Sequence, residues 1–197
     1  MSRIIVDSIR NSSAGSDGIT LSSDGKIAFP NNTGNILQVV STTKTDTFTT
    51  NSTSLVDITG LSLAITPSSS SNKILVHLEL EYGGSNIYFF GRVLRDSTAI
   101  GLGDANSNHA RCSFMLMTQG LASGANTEYK GKHTSYEILD TPNTTSATTY
   151  KIQAQSYSGD NRTLTINRSG QDGDSSGNSV AWQGRSSSTL TLMEIAA

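Results

Sequence analysis

The sequence is short of most of what membranes, nucleic acids and metal chemistry require. Of its 197 residues only 15% are charged and 35% hydrophobic, both below the averages of globular domains. The single cysteine, Cys112, excludes an intrachain disulfide and a thiolate metal cluster. No apolar run approaches the length of a membrane-spanning helix, which excludes insertion by a helical span. A net charge of −2 without any basic run leaves no electrostatic footprint for nucleic acid. The opening residues MSRIIVDSIRN lack the apolar centre of a signal peptide, so synthesis in a reducing cytoplasm is expected.

Serine and threonine fill the gap, at 31 and 24 residues against three prolines. Thr favours strands, whereas Ser, Asn and Gly favour turns, and a net charge this small argues against a charge-expanded disordered chain. The composition predicts a turn-rich β protein with a hydroxylated surface.

Lys73 to Tyr82, KILVHLELEY, is the clearest strand. Ile74, Val76, Leu78, Leu80 and Tyr82 alternate with Lys73, Leu75, His77, Glu79 and Glu81, a period of two with one apolar face. The run Gly83-Gly84-Ser85-Asn86 reads as a tight turn into a second strand, Ile87 to Arg95, and the two are expected to form a hairpin. Downstream, Arg111 to Thr118 reads as a strand, with a short helix as the alternative. His133 to Leu139 and Thr148 to Tyr157 read as another hairpin across DTPNTTSA. A short strand at Thr163 to Ile166 and a closing strand at Thr189 to Ile195 follow. Strands between turn signals, with no clear helical stretch, predict an all-β fold: a β-sandwich or jelly-roll body over 36–197.

Residues 1–35 form a separate N-terminal zone, bounded by the turn cluster Pro30 to Asn35. Within it ITLSSDGKIAF reads as a hairpin whose register is open to argument. A two-residue Asp24-Gly25 loop would leave Ile27 on the opposite face from Leu21. A three-residue Ser23-Asp24-Gly25 loop with a glycine bulge pairs Leu21 with Ile27 and Ile19 with Phe29, placing four apolar side chains on one face. The second register is therefore expected. A segment below about 40 residues seldom buries its own core without help. Ile4, Val6, Ile19, Leu21, Ile27 and Phe29 are thus expected to bury against other chains.

The run GNILQVVSTTKTDTFTTNSTSLVDITGLSLAITPSSSSNKILVHLELEYG resembles tail-fibre and virion-appendage proteins of marine bacteriophages, including those of cyanobacteria. Chains of that group carry an N-terminal segment like RIIVDSI…GITLSSDGKIAFP and end like SSTLTLMEIAA, here Ser187 to Ala197. The resemblance implies a virion structural protein, homotrimeric and β-rich, made in the host bacterial cytoplasm and assembled into a tail fibre or tail appendage for host attachment, its N-terminal segment contacting other virion proteins. A head-fibre or decoration protein is the alternative, and a small carbohydrate-active enzyme a third. There is no long repetitive shaft, so a small appendage and a whole fibre both stay open.

No catalytic signature is present, and neither a cofactor nor a metal is expected. His109 and Cys112 have ligand-like spacing but lack the two further ligands that tetrahedral zinc needs. Asp172-Gly173-Asp174 alternates carboxylates without an EF-hand's later glutamate. Glu79 and Glu81, about 7 Å apart along one strand face, are the acids a glycosidase reading would use. The strongest binding candidate is the loop over 167–185. There Asp172, Asp174 and Asn178 offer hydrogen-bonding groups, Trp182 an aromatic platform and Arg185 a cation, a combination suited to a host-surface glycan.

Overall fold

The computed structural model describes residues 8–9, 19–21, 27–28, 34–84, 88–117, 131–156, 163–170 and 183–197. In chain order its strands are β1 (Ser8–Ile9), β2 (Ile19–Leu21), β3 (Ile27–Ala28), β4 (Ile36–Lys44), β5 (Phe48–Thr50), β6 (Val56–Ile65) and β7 (Lys73–Gly84). Then come β8 (Tyr88–Arg95), β9 (Thr98–Ile100), β10 (Phe114–Met117), β11 (Lys132–Asp140), β12 (Thr148–Ser156), β13 (Leu164–Ile166) and β14 (Ser188–Ile195). There is no helix among the described residues, and Phe114–Met117 is strand.

The body is two antiparallel sheets. One has the order β10-β8-β12-β6 with β9 also on β8; the other has β4-β14-β7-β13-β5 with β11 also on β7. Both β14 and β13 pair with the same side of β7, along Lys73 to Glu79 and Tyr82 to Gly84 respectively. They are thus two pieces of one row, and β4 and β5 continue each other against them. Counting each row once, β4/β5, β13/β14, β7 and β11 form one layer, and β6, β12, β8 and β10 the other. In chain order the rows run 1-8-3-6 and 2-7-4-5, the arrangement of a jelly roll. The expected all-β sandwich is the observed fold.

The core lies between the layers. Ile74, Val76, Leu78, Leu80 and Tyr82 of β7 are buried, as the alternation predicted, and meet Phe89, Val93, Tyr150, Ile152 and Ala154 across the gap. Phe114 and Tyr136 also bridge the layers, with ring centroids 5.5 Å apart.

Two sequence expectations are corrected. β7 and β8 do not form a hairpin, because β7 belongs to the six-stranded sheet and β8 to the five-stranded one. Nor is Gly83-Gly84 the turn: β7 runs through both glycines and the chain crosses layers after them. Both are glycine because the 163–170 run passes against their backbone. A Cβ on Gly83 would lie 2.5 Å from the Arg168 carbonyl oxygen, and one on Gly84 2.5 Å from that of Thr163. The second error is parallel to the first. β11 pairs with β7 and β12 with β8 and β6, so DTPNTTSA is an arch between layers. β6 continues through Gly60 at φ +85° as an irregularity opposite Lys151 to Gln153.

The N-terminal zone is a small three-stranded sheet, β1-β2-β3. Leu21 pairs with Ile27 and Thr20 with Ala28, the register of the three-residue loop. Ile19 pairs with Ile9. Ile4, Val6 and Phe29 lie outside the described residues.

Glu194 closes the end of the body where β4 begins and β14 finishes. Its carboxylate is buried and accepts from the Ser68 amide at 2.6 Å, Ser68 Oγ at 2.7 Å, Asn72 Nδ2 at 2.6 Å and Gln38 Nε2 at 2.6 Å. Burial pushes its pKa up, but the donors from Asn72, Gln38 and Ser68 outweigh it and leave the group below the usual carboxylate range. A carboxyl held low in the fold stabilises above its unfolded pKa of about 4.3, and that contribution is lost as pH falls through the folded value. Urea melts from pH 6 to 3 are therefore expected to show an acid-side loss of stability that is smaller in Glu194→Gln. Equal pH slopes for the two proteins would refute this.

Candidate functional site

The upper half of the six-stranded sheet holds the densest chemistry among the described residues. On the outer face, cross-strand pairing sets Glu81 opposite His133, Glu79 opposite Ser135 and His77 opposite Glu137. The side chains interlock as a ladder. Glu137 Oε1 lies 2.6 Å from His77 Nδ1, and His77 Nε2 lies 2.8 Å from Glu79 Oε1. Glu79 Oε2 lies 2.6 Å from His133 Nε2, whose Nδ1 is 2.9 Å from Glu81 Oε1. Ser135 Oγ adds a 3.0 Å hydrogen bond to Glu79 Oε1. These groups are partly to well exposed, so each pair contributes on the order of 0.2–1 kcal/mol.

The imidazoles of His77 and His133 thus occupy both carboxylates of the acid pair Glu79 and Glu81. The alternation of His133, Ser135 and Glu137 was visible in the sequence. What was missing was the pairing of β11 with β7.

Beside the ladder, where the row breaks between β13 and β14, lies a cleft of about 190 Å³. It is lined by Glu81, Tyr82, Gly131, Arg168, Ser169, Gly184, Arg185 and Ser186. The row leaves the sheet after Ile166 and rejoins it at Ser188, so the candidate binding loop is an insertion within a single strand row. Its base is held by a bridge between Arg168 and Arg185. Arg168 Nη2 donates to Thr49 Oγ1 at 3.0 Å and Nη1 to the Ser169 carbonyl at 3.2 Å.

Asn167 sets where the row breaks, and sequence reasoning missed it. It has a left-handed backbone (φ 63°) and is fully buried. Its amide donates to the Glu81 carbonyl at 2.8 Å. Its side-chain Nδ2 donates to the carbonyls of Lys44 (2.8 Å) and Asp46 (2.9 Å), in the gap between β4 and β5. Its Oδ1 accepts from Ser188 Oγ at 2.6 Å, and Ser188 Oγ in turn accepts from the Glu81 amide at 3.0 Å. One asparagine thus supplies the bonds that both interrupted rows lack.

Of the predicted binding residues, Arg185 is exposed on the cleft rim, and Asp172, Asp174, Asn178 and Trp182 lie outside the described residues. The His109 ring contacts the Asn106 carbonyl at 2.9 Å, while burial pushes the Cys112 thiol's pKa up. Among the described residues no group of three or more His, Cys, Asp or Glu side chains is placed to hold a metal ion. No helix among them is long and apolar enough to cross a membrane.

No family model matches the chain, and no curated protein matches it. It is similar to one chain of the solved structure of infectious bursal disease virus Gt strain, at 15% identity and a TM-score of 0.39. That similarity spans 96% of this chain and 47% of the viral one, so this chain covers less than half of its length.

Proposed function

We propose that this chain is a structural protein of a bacteriophage virion: a trimeric tail fibre or tail appendage that takes part in attachment to the host surface. The sequence resemblance at both ends and through the first half of the body supports this reading. The observation that carries it is the division of the chain. A small N-terminal sheet, in which Leu21 pairs with Ile27 and Ile19 with Ile9, precedes a jelly-roll body whose core lies between its own two sheets. That division suits a segment that binds neighbours and a body that displays a surface. The cleft beside Arg185 and the insertion rooted at Asn167 are the surface we assign to host glycan, and multivalent display would raise weak affinity to useful avidity.

Antibody raised against residues 36–197, gold-labelled and imaged on intact particles, tests the assignment. Label at the tail together with blocked adsorption to the host is the expected result. Label over the capsid would move the protein to the head, and unlabelled particles would remove it from the virion.

A further inference from the structure

Two arginines stand opposite each other in the cleft between β13 and β14. Arg168 and Arg185 are partners in an antiparallel bridge, and both line the cleft. Bridge partners carry their side chains on one face with Cβ atoms about 4.5–5.5 Å apart, and like charges placed directly opposite are destabilising. Of the other described lining residues only Glu81 is charged, and its Oε1 lies 2.9 Å from His133 Nδ1 on the ladder side. The described lining is thus net positive, on a chain whose net charge is −2.

The geometry around the two guanidiniums is uneven. Arg168 is braced, donating from Nη2 to Thr49 Oγ1 at 3.0 Å and from Nη1 to the Ser169 carbonyl at 3.2 Å. Buried Asn167 and Ser169 on either side hold its backbone in place. Arg185 is exposed. At Gly131 and Gly184, chain neighbours aside, no described atom lies within 4 Å of where a Cβ would stand, so the lining opens to solvent there. A fixed fork at the base and an exposed one at the rim suit an oxyanion with two or more oxygens, a carboxylate or a sulfate. At about 190 Å³ the cleft is smaller than pockets that enclose a whole small ligand, which run to roughly 300–1,000 Å³. It fits one unit of a chain whose neighbouring units stay in water. We propose that the cleft binds an acidic unit of a host-surface polysaccharide, its carboxylate or sulfate oxygens held between Arg168 and Arg185. This rests on the assignment of the cleft to host glycan and narrows it to acidic glycans.

Titration calorimetry of the full chain with polygalacturonate, dextran sulfate and neutral dextran tests the proposal. Binding to an acidic polymer that weakens as salt rises, and none to dextran, is expected; which acidic polymer binds tells carboxylate from sulfate. Arg185→Gln should lose roughly tenfold or more in affinity, and Arg185→Lys should keep part of it, because the charge stays while the fork is lost. Gly184→Phe leaves every charge in place and narrows the opening, and should weaken binding as much. Arg185 and Gly184 are both exposed, so these variants should fold. Arg92→Gln in the other sheet should bind as the parent does. Binding that survives Gly184→Phe, or that Arg92→Gln weakens as much as Arg185→Gln, overturns the cleft as the site. Dextran binding as tight as that of the acidic polymers overturns the acidic class and leaves the glycan reading standing. Failure to bind either acidic polymer overturns the inference. The glycan reading is decided separately, by labelled protein on host cells: adsorption that persists after periodate oxidation of the cell surface removes it.

Discussion

Replacing Asp140 by alanine is expected to lower the melting temperature by roughly 6–20 °C, from about 3–5 kcal/mol spread over a domain of this size. Asp140 ends β11 in one layer, and its partners belong to the other. Arg95 Nη1 of β8 reaches both carboxylate oxygens, at 2.8 and 2.9 Å, and the hydroxyl of Tyr150 in β12 donates to Oδ2 at 2.6 Å. Tyr150 is fully buried and the Asp140 side chain is 9% exposed. Burial, and then the adjacent Asp140 carboxylate, push the phenol's pKa far above its ordinary range, so the hydroxyl stays a donor in the folded protein. Truncating Asp140 strands that buried hydroxyl and leaves a partly buried guanidinium without its counter-ion, two costs that do not offset each other. Tyr150→Phe removes only one donor and is expected to cost about 0.5–1.5 kcal/mol. Calorimetry of the two single variants and the double variant forms a cycle that isolates the coupling. If Asp140→Ala cost no more than Tyr150→Phe, the carboxylate would not be the tie between layers.

The second large effect is expected at Asn167. Asn167→Ala removes the donor to the Lys44 and Asp46 carbonyls and the acceptor for Ser188, and also puts a side chain without local hydrogen bonding into the left-handed region. A loss of about 2–5 kcal/mol in urea unfolding follows. Asn167→Gly relieves the backbone but not the lost bonds, so it should recover only part of the loss. Asn167→Asp is the informative substitution. It keeps an acceptor for Ser188 but sets a carboxylate oxygen against the Lys44 and Asp46 carbonyls, and should be at least as damaging as alanine. An aspartate variant of near wild-type stability would show that the Nδ2 contacts are dispensable. The other rows lend weight to the argument: β5 and β13 join the sheet only beyond this point, so losing the pin should release them together with the base of the binding loop.

Local rules were legible wherever they were decided within one strand or one tight turn. Alternation along Lys73 to Tyr82 named the buried face of β7 because neighbouring side chains on a strand must point oppositely. The Ser23-Asp24-Gly25 loop gave the register of β2 on β3, since a one-residue slip would have split four apolar residues between two faces. The scarcity of charge and the Ser/Thr surplus pointed to an all-β body, and the chain folds as one.

Partnership between strands was decided elsewhere. The three residues between β7 and β8 and the seven between β11 and β12 are each few enough for a hairpin, yet the strands on either side belong to different layers. Strand alternation is the same in either sheet, so nothing local distinguishes a hairpin from an arch. The choice is made by the two-layer core, which must bring β7 between β11 and β14 for both sheets to bury their apolar faces at once. The His–Glu ladder, the Asp140 tie and the Asn167 pin all join residues that are 10 to more than 120 positions apart in the chain. Composition and alternation determined that this chain is an all-β protein with a sandwich body. Only the long-range packing decided which polar groups meet, because that is a property of strand order, and strand order is settled by burying both faces together.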